Sequence, residues 1–222
     1  MLKLLELTRF PILEQLKIEE ALLRNSNDHF CILNYGSKPA YVLPASAKKE
    51  LWLEESLPHP IVRRYTGGGC VVIDENTLFV TFIGQTQLLS ENTTPSSLHR
   101  FHEPIYKAFI PNFIRYENDY CMESKKIGGN AQYITKNRFV YHTSFLWDFN
   151  PENMKGLKHP PREPKYRKNR PHNSFITHLK DEFRTPIDFF DSLKSQFPYE
   201  QISVDTILPF TQLPHRQTSY SE

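Results

Sequence analysis

The chain has 222 residues, enough for one domain with a substantial core, and a 39% hydrophobic, 13% aromatic composition excludes a disordered chain. A net charge of +2 is too small to argue by itself for nucleic acid. Cys31, Cys70 and Cys121 are dispersed and odd in number, which excludes a disulfide framework or a paired-cysteine metal site and points to a reducing, cytoplasmic setting.

Lys3, Glu6 and Arg9 interrupt the leucine-rich start, so no signal peptide is expected. No stretch approaches the roughly 18 apolar residues of a membrane span, so no membrane partner is expected either. Residues 11–23 read as the first helix, with Pro11 suited to a first helical position and Leu13, Leu16, Glu20 and Leu23 at helical spacing. Glu19 and Glu20 within it read as an exposed acidic edge. Residues 30–35 and 40–43 read as strands, the second stopped by Pro44. Residues 45–57 read as helix and 61–64 as a strand. Residues 70–73 and 78–83 are apolar runs around Asp74-Glu75-Asn76, the signature of a hairpin.

Residues 94–113 read as a helix capped by Ser96 or Ser97, with Ile105, Phe109 and Phe113 on one face. Lys126-Ile127-Gly128-Gly129-Asn130-Ala131-Gln132-Tyr133 reads as a glycine turn, and 139–146 as a strand. From Pro151 the chain turns basic and proline-rich, then helical over 175–179 and 186–197; the last ten residues are polar and read as frayed. Paired strands with interspersed helices and no strict βαβ rhythm predict an α+β fold around a mixed sheet. The expected organisation is a single domain over 1–222, with 151–222 a basic, proline-rich and helical C-terminal extension.

Two features carry chemistry. Gly67-Gly68-Gly69 takes three of the eight glycines of the chain and follows Arg63-Arg64. Such a loop can cradle an anion on its backbone N–H groups, and arginine can clamp phosphate or carboxylate; a tight turn entering a buried strand is the equal alternative. The second feature is Lys126 with Gly128-Gly129-Asn130. Neither is a Walker loop or a dinucleotide fingerprint.

The combination Arg63-Arg64-Tyr65-Thr66-Gly67-Gly68-Gly69, Asp74 and Asn76, Asn118-Asp119, Lys126-Ile127-Gly128-Gly129-Asn130-Ala131-Gln132 and His142-Thr143 resembles the lipoate–protein ligase A family over roughly residues 10–150. Tyr166, Arg167, Arg170 and His172 are similar, more weakly, to the end of that family's catalytic domain. The resemblance implies a biotin/lipoate ligase fold, like that of class II synthetases, with a largely antiparallel sheet flanked by helices. It implies a reaction in which lipoate and ATP form lipoyl-AMP, Mg²⁺ assists, and a carrier lysine is then acylated. Implied partners are lipoyl carrier domains of 2-oxoacid dehydrogenases or the glycine cleavage H protein. Because the chain ends without the extra lobe of longer ligases, a separate accessory lobe is a further implied partner.

By the same resemblance, Lys126 is the catalytic residue, set between the acyl carboxylate and the α-phosphate. Arg64, Gly69, Cys70, Val71, Val72 and Lys126 would hold ATP. Arg64, Thr66, Gly67, Gly68, Lys126, Gly129, Asn130, Ala131 and His142 would hold the acyl acid. Asp119 would bind Mg²⁺ or fix its loop, with helix capping the equal alternative for Asn118-Asp119. His142 is as readily a structural histidine. The chain departs from the family at Leu43-Pro44-Ala45-Ser46-Ala47, where Gly-Arg and Gln-Asn are usual, at Ile73 in place of histidine, and near Tyr133, where an arginine is missing. Two other functions stay open: an octanoyl or lipoyl transferase of the same fold using a Cys70 or Cys121 thioester, and a non-enzymatic ligand-binding homologue. The basic run 165–170 reads as a solvated loop or a dock for an acidic carrier, and no nucleic-acid partner is expected.

Overall fold

Strands whose side chains are apolar on both faces need cover on both sides, and this requirement organises the molecule. The computed structural model describes residues 1–222. In chain order its elements are β1 (Leu2–Thr8), α1 (Ile12–Asn25), β2 (His29–Tyr35), β3 (Ala40–Pro44), β4 (Ile61–Arg64), β5 (Val71–Ile73) and β6 (Thr77–Gln85). There follow α2 (Pro95–Lys107), β7 (Phe113–Tyr116), β8 (Asp119–Met122), β9 (Lys125–Ile134), β10 (Arg138–Leu146), α3 (His172–Phe175), α4 (Pro186–Lys194), β11 (Tyr199–Ile202), α5 (Val204–Gln212) and β12 (Tyr220–Ser221).

The large sheet runs β11-β1-β2-β6-β10-β9-β8-β7, and the small one β12-β4-β3-β5. β11, β1 and β2 pair in parallel, as do β3 and β4; every other pairing is antiparallel. The mixed, largely antiparallel α+β expectation therefore holds. Along β6, Leu78, Val80 and Phe82 join one core with α2 and α4, while Phe79 and Ile83 join a second core with α1, α5 and the small sheet. Thr81 and His142 share the α1 side by the same period of two. No helix is long and apolar enough to cross a membrane.

Several local expectations are corrected. Residues 70–83 form no hairpin: β5 pairs with β3, whereas β6 pairs with β2 and β10 in the other sheet. Residues 45–57 are not helical beyond a 3-10 turn at Lys49–Leu51. Several of their carbonyls are taken by tertiary partners: Arg63 Nη1 donates to Ala47 O, Lys158 Nζ to Glu50 O and Lys158 N to Trp52 O. The helix expected over 94–113 stops at Lys107, because Pro111 cannot continue it and Asn112 adopts φ 51° before β7 begins. Its cap is Thr94, in a reciprocal box with Ser97.

The run 126–133 is not a turn but the middle of β9. Its glycines answer to crowding: a Cβ on Gly128 would lie 2.9 Å from the Phe145 ring, and one on Gly129 3.2 Å from Lys126 Nζ. The helix expected over 175–179 is the single turn α3, and Ile176 then bridges Lys126. α4 ends at Lys194 rather than near 197. The last ten residues are not frayed. β12 pairs with β4, Thr218 donates to Glu20, and Glu222 meets Arg63 at 2.7 Å. The sequence reading also missed β1 and β11, which pair with each other at one edge of the large sheet.

Candidate functional site

A cavity of about 590 Å³ opens between the small sheet, α1 and the β9–β10 face. One end is walled by the apolar side chains of Ile12, Leu16, Val42, Ile73, Phe79 and Ala131, with the polar Gln15, Glu19, Thr81 and His142 in the same lining. The middle is bordered by Gly68, Gly69, Lys126, Gly129, Asn130 and Thr143. The far end lies under the 157–176 segment, with Trp52, Leu157, Pro160, Arg162 and His172 in its wall.

The glycine loop is held from below. Arg64 is 3% exposed, and its guanidinium donates to Thr66 Oγ1 (3.0 Å), Val42 O (2.9 Å), Gly67 O (2.9 Å) and Gly69 O (2.7 Å). Burial pulls its pKa down to about 10, which leaves it charged at neutral pH. With the Gly67 and Gly69 carbonyls bound downward, the amides of Gly68, Gly69 and Cys70 make no hydrogen bond within the protein. Amides left free in this way are the donors from which an anion nest is built. Gly68 sits at φ +111°, and a Cβ there would approach Arg64 Nη2 to 3.0 Å, so glycine is required. Arg64 thus meets the cavity mainly by shaping the loop.

β8 carries a register irregularity between Tyr120 and Cys121, and β-bulges re-aim neighbouring side chains. Asp119 and Lys126 flank it, and Lys126 Nζ meets Asp119 Oδ1 at 2.8 Å. Asp119 Oδ2 accepts from Tyr166 OH at 2.9 Å. Asn130 is fixed by Thr143 Oγ1 (2.6 Å) and by the Asn118 carbonyl (2.9 Å). As for Mg²⁺, both Asp119 oxygens are engaged, and no group of three or more His, Cys, Asp or Glu gathers to hold a metal ion. The residues present do not fit a protein-built Mg²⁺ cage, and no step is routed through one.

Glu19 overturns the reading of an exposed acidic edge. It is fully buried and Glu20 nearly so. Glu19 Oε1 accepts from Thr81 Oγ1 (2.7 Å) and Gln15 Nε2 (2.9 Å), and its Oε2 from Tyr65 OH (3.4 Å). The same Oε2 lies 3.1 Å from His142 Nδ1. A carboxylate only accepts, so Nδ1 carries a proton toward Glu19. His142 Nε2 then faces Thr66 Oγ1 at 3.2 Å, and Thr66 in turn accepts from Arg64. One chain of hydrogen bonds therefore runs from α1 through His142 to the glycine loop. Spacing could have flagged it: Ile12, Gln15, Leu16, Glu19 and Leu23 recur on one helical face.

Of the expected site residues, Arg64, Gly68, Gly69, Cys70, Val71, Val72, Asp119, Lys126, Gly129, Asn130, Ala131 and His142 border this one cavity. Thr66, Gly67 and Cys121 do not border it. Thr66 supports the loop from behind, Gly67 is exposed on the surface, and Cys121 is fully buried. Burial pushes the Cys70 thiol up to about 12 and the Cys121 thiol to about 11, which makes both poor nucleophiles. Sequence reasoning missed Gln15, Glu19 and Trp52, and gave Tyr166 no link to Asp119.

The profile of the family described as lipoyl protein ligase A/B catalytic domain matches residues 11–197. The Plasmodium falciparum protein named inactive lipoate–protein ligase 2 is 28% identical, over 85% of this chain and 67% of that protein. Alignments with bacterial lipoate–protein ligases span only 26–31% of those proteins' length. Among solved structures, the bipartite lipoate protein ligase of Thermoplasma acidophilum, described with its E2 lipoyl domain, superposes with a TM-score of 0.76 at 17% identity, covering 95% of this chain and 89% of that one. A lipoate–protein ligase A bound with ATP gives 0.70 at 16% identity, covering 95% and 92%. At such identities the likeness carries the fold.

Proposed function

The chain belongs to the lipoyl protein ligase A/B catalytic-domain family, and from that membership we propose that it joins lipoate or a related acyl acid to AMP in this cavity and passes the acyl group to a carrier lysine. The observation that carries the reading is the position of Lys126 Nζ. It stands in the wall of one cavity with the unbonded amides of Gly68, Gly69 and Cys70 and the apolar end beyond.

An acyl chain would lie along Ile12, Leu16, Ile73 and Phe79, with its carboxylate at Lys126. The α-phosphate of ATP would sit over the glycine-loop amides, with the nucleoside along Val71, Val72 and Trp52. A carboxylate oxygen attacks the α-phosphorus and the bond to the β-phosphate breaks, releasing pyrophosphate. The ε-amine of a carrier lysine then attacks the acyl carbonyl, and AMP leaves. Lys126 offsets the repulsion between the two anions and stabilises charge as it builds on the phosphoryl oxygens. Binding of lipoate and ATP is supported by the family and by the ATP-bound relative. A lipoyl carrier domain as partner is supported by the archaeal ligase described with its E2 lipoyl domain; the carrier is taken to be that of a 2-oxoacid dehydrogenase or the glycine cleavage H protein. That ligase is bipartite, which also supports a separate accessory lobe. The three free cysteines support a reducing, cytoplasmic setting.

The test is incubation with ATP, Mg²⁺ and, in turn, lipoate, octanoate and biotin, with acyl-AMP measured directly. Lipoyl- or octanoyl-AMP is expected, and Lys126→Ala should lower its formation by about a thousandfold or more with the fold retained. No adenylate from any acid would defeat the ligase reading. A second reading is favoured by the Plasmodium relative named inactive: a module that binds the acid and nucleotide without joining them. It predicts saturable binding of both with no adenylate. The burial of Cys121 and the raised Cys70 thiol weigh against a cysteine-based transferase.

A further inference from the structure

The segment 157–177 crosses the far end of the cavity as a strap and reaches Lys126 by two routes. The first is main chain: Thr177 N donates to Lys126 O at 2.8 Å, and Ile176 bridges Lys126 in parallel register. The second is side chain. Tyr166 projects from a 3-10 turn, Lys165–Arg167, and its hydroxyl donates to Asp119 Oδ2 at 2.9 Å while Asp119 Oδ1 takes Lys126 Nζ at 2.8 Å. The phenol is itself fixed. Its ring stacks on Tyr116 at 5.0 Å and 22° and meets Phe175 at 5.2 Å, and Cys121 Sγ donates to its oxygen at 3.3 Å. The donors run one way, from thiol to phenol to carboxylate, and the ammonium completes the carboxylate's shell. Burial and the Asp119 charge keep the phenol protonated, and hence a donor.

This arrangement does work that packing does not require. The terminal torsion of an aspartate is broad and two-fold, and a lysine has four rotatable bonds, so one contact between them leaves both loose. Occupying Oδ2 from outside selects one carboxylate orientation. Lys126 Nζ is then held over Gly129, which has no Cβ to displace it. An ammonium has three protons, and Asp119 uses one, leaving two for incoming anions. We propose that Tyr166 is a positioning residue for acyl activation: by anchoring Asp119 it aims Lys126 into the cavity and makes the lysine's placement depend on the strap being seated. This rests on the reading of Lys126 as the activating lysine.

The test is Tyr166→Phe, which removes one oxygen and keeps both ring contacts. The turnover number for acyl-AMP formation should fall about tenfold, the order of one hydrogen bond to a charged group, with KM for ATP and acid changed by less than about twofold. On an Asp119→Ala background the same substitution should change nothing further, because its effect passes through Asp119. Thermal unfolding should shift by no more than about 4 °C. Titration calorimetry with an octanoyl-sulfamoyl adenosine, a stable acyl-adenylate analogue, repeats the cycle without turnover: Tyr166→Phe should weaken binding about tenfold only when Asp119 is present. A wild-type protein that adenylates no acid removes the ligase reading, and calorimetry then decides the positioning role alone. Tyr166→Phe indistinguishable from wild type in both assays, or equally damaging with and without Asp119, overturns the proposal.

Discussion

Glu19 shows how much a single side chain depends on its partners. Its carboxylate lies in the core and is met by Thr81, Gln15, Tyr65 and His142. Burying a charge is costly, and only such a shell of donors makes it tolerable. Glu19→Ala should therefore cost about 3–5 kcal/mol in urea unfolding, since it strands buried donors as well as removing a charge. A loss under about 1 kcal/mol, the surface-pair range, would show that the network contributes little. The effect should also reach the glycine loop, because His142 links Glu19 to Thr66 and Thr66 links to Arg64. Nothing in the letters Glu19-Glu20 distinguishes this burial from a solvated edge. Only the i, i+4 partner Gln15 on an apolar helical face hinted at it.

At the scale of elements, β4 is the hub of the cleft. It delivers Arg64 to the glycine loop, and Arg63 beside it holds the 44–47 loop through Pro44 O and Ala47 O. β12 closes over β4, placing Glu222 on Arg63 and Thr218 on Glu20. Removing residues 218–222 should thus lower stability by about 2–4 kcal/mol, read as a drop in the thermal midpoint, because it leaves buried Arg63 and Glu20 short of partners. A dispensable tail would leave the midpoint unchanged. Strand identity at 30–35, 40–43 and 61–64 was legible from apolar runs and breakers, as was the first helix. The pairing of consecutive strands β5 and β6 into different sheets was not, since a turn signal says nothing about which neighbour a strand will find. The glycines at 128–129 misled for a related reason: they relieve crowding by Phe145 and Lys126, which only packing reveals.

Across the whole molecule, stability should depend on pH through two buried histidines of α2 that do not line the cavity. His99 and His102 on α2 are each 1% exposed; His99 bonds Tyr141 OH at 2.8 Å and His102 stacks on the Tyr141 ring. Burial lowers both to about 4 in the folded chain, against 6.5 for an ordinary imidazole. A lowered histidine contributes stability that is present above the unfolded value and lost as pH falls. Between about pH 6.5 and 4 the unfolded chain binds protons that the folded chain refuses, costing up to about 1.4 kcal/mol per pH unit for each. The urea midpoint should fall steadily over that window, and His102→Phe should flatten the slope; an unchanged profile would contradict the assignment. By itself the sequence determined what short contiguous runs can carry: the α+β class, the glycine loop after an arginine pair, and a lysine before a second glycine pair. Those features are local, so a few adjacent residues specify them. The tertiary structure alone decided which of them meet. Glu19 and His142 are 123 residues apart, Tyr166 and Asp119 47, and Arg63 and Glu222 159. Contacts at such separations follow from sheet order, register and the path of the strap, which no local pattern encodes.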